Sequence, residues 1–140
     1  MRECPLPEYC IKLSKQFSDL ANIIAETDNL KDDLRLVSIS FDPERDTPAK
    51  LKDYGKGYLG KDSKADFNIW QLAVADDAET RKIADFFGLQ YSVDPSNKAL
   101  INHSMITAVV GPDGTIKKIY KGSDFTPEQL LQEMRKAAGK

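Results

Sequence analysis

Apolar residues recur every three or four positions near the start of the chain: Cys10, Leu13, Phe17, Leu20 and Ile24, with polar residues between them. That spacing predicts an amphipathic helix of about four to five turns. Pro7 stands where a first helical turn tolerates proline. Between 34 and 41 the period changes. Val37, Ile39 and Phe41 alternate with Ser38 and Ser40, and Leu34 and Leu36 extend the apolar set. A strand buried on much of both faces is expected there.

Turn and cap residues divide the rest. Thr47 can cap a helix with Pro48 at its first position, Leu51 and Tyr54 facing inward, and Gly55, Gly57 and Gly60 ending it. A short strand is expected over 69–74. Asp76 or Asp77 then caps a helix running to Phe87, with Ile83, Ala84 and Phe87 buried and Gly88 as its C-terminal cap. Residues 89–93 read as extended and 94–102 as a loop. SMITAVVG and TIKKIY form two strands joined at Pro112-Asp113-Gly114. Thr126, Pro127 and Gln129 open a last helix with a capping box, and Leu130, Leu131 and Met134 make its inner face.

This order predicts one α/β domain over 1–140, a three-layer sandwich with a mixed sheet. The 140 residues suffice for one core, and 41% hydrophobic with 30% charged residues is an ordinary globular balance. A net charge of -2 without a basic stretch argues against nucleic acid. Lys50, Lys52, Lys56, Lys61 and Lys64 read as a solvated face. No apolar run reaches the ~20 residues that span a bilayer, and no signal sequence follows Met1.

The chemistry concentrates in few residues. Cys4 and Cys10 are the two cysteines and His103 the single histidine. Both thiols lie at or just before a helix start, where backbone N–H groups and the helix dipole favour thiolate. An inert buried pair or a structural disulfide remains open, and Cys10 on the apolar stripe suits it. His103 precedes an apolar strand. It reads as a surface or capping histidine, or as an imidazole held at a strand end, where ligands gather in α/β sheets. Two thiolates and one imidazole would select copper, with zinc second because structural zinc usually takes four protein ligands. Asp42 is a candidate for orienting the thiols. Asp46 and Thr47 read as turn and cap residues.

Three segments resemble the Sco/SenC family: CPLPEYC (4–10), VSISFDPERDTPAKLKDYGK (37–56) and INHSMITAVVGPDGTI (101–116). The resemblance implies a thioredoxin-like fold and copper held by Cys4, Cys10 and His103. It implies a metallochaperone delivering copper to the dinuclear centre of cytochrome c oxidase subunit II, or to another acceptor, or keeping that subunit's thiols reduced. It also implies an extracytoplasmic place and a membrane tether, with no membrane contact by this chain itself. The cysteine spacer is five residues where the family typically has three. The family's first core strand, between the 34–41 and 104–110 strands, has no counterpart before Cys4, so a truncated chain is expected. Two alternatives stay open: a thiol–disulfide oxidoreductase using Cys4 and Cys10, or an inactive truncated domain.

Overall fold

The computed structural model describes residues 7–40, 46–88, 91–93, 101–103, 106–122 and 125–140, with side chains described for 11–40, 46–88, 106–122 and 125–140. The elements run α1 (Pro7–Glu26), β1 (Leu36–Ile39), α2 (Pro48–Lys56), β2 (Trp70–Ala73), α3 (Asp77–Phe87), β3 (Tyr91–Val93), β4 (Ile101–His103), β5 (Ile106–Val110), β6 (Ile116–Lys121) and α4 (Pro127–Ala137).

The caps explain most boundaries. Thr47 and Asp76 each accept a backbone N–H from the first turn of the helix that follows, and Gly88 ends α3 at φ 70°. Thr126 and Gln129 complete a capping box at α4. Gly114 takes φ 81° in the β5–β6 turn, a conformation that glycine adopts without steric cost.

β1 runs parallel to β2, with Leu36 opposite Trp70 and Ile39 opposite Ala73. β3 pairs antiparallel with β4, and β5 with β6 across an irregularity at Val109/Val110. Parallel and antiparallel pairs thus coexist, as a mixed α/β arrangement requires. Among the described residues they form three two-stranded ladders, and β1 does not pair with β5.

One core joins the elements. α1 contributes Phe17, Leu20, Ala21 and Ile24, and Leu36, Trp70, Val109, Phe125 and Leu130 meet them. Trp70 is fully buried, edge-on to Phe17 at 6.1 Å and to Tyr58 at 5.9 Å between ring centroids. Its Nε1 donates to Ser38 Oγ at 2.9 Å, so the ring is buried without an orphaned donor. Burying each such large side chain contributes about 1.5–3 kcal/mol.

Four expectations need correction. Val37 is 49% exposed, so β1 is not buried on both faces at that position. Gly55 does not end α2 but lies inside it, buried, because a Cβ there would stand 2.6 Å from Phe67 Cε1. Ile101 and Asn102 are strand, not loop, since they pair with Val93 and Ser92. Ile83 and Phe87 are only partly buried, leaving Ala84 and Thr80 as the inner face of α3.

Candidate metal centre

Cys10 lies in the first turn of α1, the helix that its apolar stripe predicts. His103 is the last residue of β4, opposite Tyr91. Cys4 and Asp42, and the side chains of Cys10 and His103, lie outside the described residues. Among the described residues no three His, Cys, Asp or Glu side chains converge on a metal position.

β1 ends at Ile39 and α2 begins at Pro48, with the segment 41–45 between them. Ser40 Oγ donates to Asp46 Oδ2 at 2.5 Å, and both residues are buried, at 3% and 4% exposure. A hydrogen bond to a carboxylate away from water is strong, and this one clasps the two ends of the 41–45 segment. Thr47 then accepts the Lys50 N–H and starts α2. The cap role expected of Thr47 is therefore seen, while Asp46 serves as the clasp rather than a cap.

A second polar tie joins α1 to α2. Ser14 Oγ and Tyr54 Oη are 2.8 Å apart. Ser14 is one helical turn beyond Cys10, buried at 8% exposure among the apolar positions of α1. Tyr54 Oη also lies 3.5 Å from Tyr58 Oη, with the two rings 5.3 Å apart. Burial pushes the Tyr54 phenol up to about 12; the Ser14 hydrogen bond opposes the rise, while Tyr58 and the Asp46 carboxylate add to it.

Ser14, Tyr54, Ser40 and Asp46 were not among the candidates drawn from sequence, except Asp46 as a cap. One signal existed: Ser14 is a serine on an otherwise apolar stripe, one turn after a cysteine. Nothing in the sequence marks its partner as Tyr54, forty positions on.

The family model SCO1/SenC matches residues 7–139. The chain belongs to the SCO1/SenC family. It is 25% identical over 133 residues to the SCO1 protein homolog of Bacillus subtilis, covering 92% of this chain and 64% of that protein. A SCO2-like protein of Rickettsia conorii is 25% identical over 130 residues, covering 92% and 59%. The chain thus spans about three fifths of the length of these relatives. Among solved structures, copper-bound ScoI of Arabidopsis thaliana superposes with a TM-score of 0.70 at 21% identity, covering 93% of this chain and 78% of that one. A SCO1/SenC family lipoprotein of Bacillus anthracis superposes with a TM-score of 0.71 at 19% identity, covering 91% and 72%. The fold of this SCO1/SenC member is the thioredoxin-like α/β fold expected from the sequence.

Proposed function

We propose that the chain is a copper-binding metallochaperone that serves assembly of the cytochrome c oxidase copper centre. Copper is its cargo, held by the thiolates of Cys4 and Cys10 and the imidazole of His103, with Asp42 orienting the thiols. Two soft thiolates suit Cu(I), and an imidazole extends the set to Cu(II). The 140 residues act as one domain. The acceptor is oxidase subunit II or another copper-accepting protein, met on the extracytoplasmic side.

The observation that carries this reading is the family match across residues 7–139, which takes in Cys10 and His103. Copper-bound relatives from Arabidopsis thaliana and Bradyrhizobium japonicum support it. The position of Cys10 in the first turn of α1 supports it further, because a helix N-terminus favours the thiolate that copper requires.

The same position favours a second reading, thiol–disulfide exchange between Cys4 and Cys10. Titration of the reduced 140-residue chain with Cu(I) and Cu(II) separates the two. The copper reading expects about one metal per chain, with Cys4→Ser or Cys10→Ser abolishing tight binding. No binding by the reduced chain, together with turnover on a protein disulfide, would replace it with the exchange reading.

A further inference from the structure

Trp70 is the single tryptophan of the chain and is fully buried. Among the described residues two rings pack edge-on to it, Phe17 at 6.1 Å and Tyr58 at 5.9 Å between centroids. Tyr58 in turn stands 5.3 Å from the Tyr54 ring, and Tyr54 Oη donates to Tyr58 Oη at 3.5 Å. All three separations fall within the about 4.5–7 Å of aromatic rings in contact. Tyr54 and Tyr58 are half-buried, so the series starts in the core and ends where water reaches.

These rings differ from plain apolar packing in one chemical respect. Indole and phenol give up one electron far more readily than the benzene ring of phenylalanine. Phe17 is therefore a dead end for an oxidising equivalent on Trp70, and Tyr58 is the way out among the described rings. The Trp70 Nε1–H is held by the Ser38 hydroxyl at 2.9 Å. A neutral hydroxyl is too weak a base to remove that proton, so an oxidised indole keeps it and remains a strong oxidant of its neighbour.

We infer that Trp70, Tyr58 and Tyr54 form a one-electron relay that carries oxidising equivalents from the core to the phenol pair. A one-electron oxidant, either an oxygen-centred radical or a high-valent metal complex, takes one electron from Trp70 and is itself reduced by one. The indole radical cation then takes one electron from Tyr58, which releases its phenolic proton to water. Trp70 is restored as neutral indole, and Tyr58 is left as a neutral phenoxyl radical. The Tyr54 O–H next gives its proton and one electron to the Tyr58 oxygen along their hydrogen bond. The phenoxyl then rests on Tyr54, whose oxygen lies 2.8 Å from Ser14 Oγ. A small reductant in solution, a thiol or ascorbate, ends the sequence by returning one electron and one proton. The relay goes beyond the copper reading and stands apart from it, since none of its three residues is a proposed ligand.

Flash photoionisation of Trp70 in the 140-residue chain, followed by transient absorption, tests the relay. Excitation at the long-wavelength edge of the indole absorption selects Trp70. The indole radical band is expected to decay as the phenoxyl band rises, with one shared first-order rate that does not change on diluting the protein. Tyr58→Phe keeps a ring in contact and removes the oxidisable group, and is expected to abolish that rise. Tyr120→Phe, in the ring pair with Phe125, is expected to leave it unchanged. Tyr54→Phe should keep the rise but alter the electron paramagnetic resonance spectrum of the phenoxyl, because the radical then stops on Tyr58. Circular dichroism checks that each variant folds. Absence of a dilution-independent rise in the unsubstituted chain would overturn the inference, whether or not the variants fold. A rise that survives in folded Tyr58→Phe would overturn it too, and an unchanged resonance spectrum in Tyr54→Phe would overturn its last step.

Discussion

Ser40 Oγ and Asp46 Oδ2 meet at 2.5 Å, in the interior, across the base of the segment that joins β1 to α2. Removing the donor would leave a buried carboxylate with one partner fewer. Ser40→Ala is expected to destabilise the chain by about 1.5–3 kcal/mol, the range for hydrogen bonds to charged groups. Urea denaturation followed by circular dichroism measures it. A loss below about 0.5 kcal/mol would show that the clasp adds little beyond an ordinary surface contact.

Tyr54 gives the chain a distinctive alkaline limb. The folded chain holds the phenol proton to about 12, whereas the unfolded phenol titrates near 10.0. The folded state therefore binds this proton more tightly. That contribution to stability is complete below pH 10 and is lost as pH rises through about 12. Melting curves between pH 8 and pH 12 should show the unsubstituted chain losing stability more steeply than Tyr54→Phe. Parallel slopes would contradict the assignment.

Gly55 is set by close approach rather than by a turn. A methyl group there would stand 2.6 Å from Phe67 Cε1 and 3.0 Å from Leu72 Cδ1. Alanine has the better helix propensity by roughly 1 kcal/mol, yet overpacking costs about 1–3 kcal/mol. Gly55→Ala is expected to lower stability on balance, read as a lower midpoint in thermal denaturation. A raised midpoint would mean that the Phe67 ring gives way freely.

At α4, Thr126 accepts the Gln129 N–H at 3.1 Å while the Gln129 side chain accepts the Thr126 N–H at 2.9 Å. Thr126→Ala breaks the reciprocal pair and should cost about 1 kcal/mol. Because Leu130 of α4 belongs to the central core, the loss should appear in global unfolding and not only as fraying at the C-terminus. Hydrogen exchange of the α4 amides distinguishes the two.

Much of the fold was legible because its signals are local. Thr47, Asp76, Gly88 and the Thr126–Gln129 box each act on backbone groups within one turn, so each boundary could be placed from neighbouring residues. The apolar stripe of α1 likewise states its own period. What escaped depends on distant chain. The role of Gly55 is decided by Phe67 and Leu72, and the strand character of Ile101 and Asn102 by pairing with Val93 and Ser92. The site divides in the same way. Cys4, Cys10 and His103 were conspicuous as scarce residue types with a family-like order. The Ser14–Tyr54 tie was not, because hydroxyl residues are common and only tertiary packing brings these two together.

We propose that two thiolates and one imidazole of this chain hold copper. The most direct measurement is competitive titration of the reduced 140-residue chain and its His103→Ala variant with Cu(I) and Cu(II). If the claim holds, the unsubstituted chain binds about one copper of either charge, and His103→Ala weakens Cu(II) far more than Cu(I), since thiolates suffice for the softer ion. Equal affinities for both ions in the chain and in the variant would contradict it.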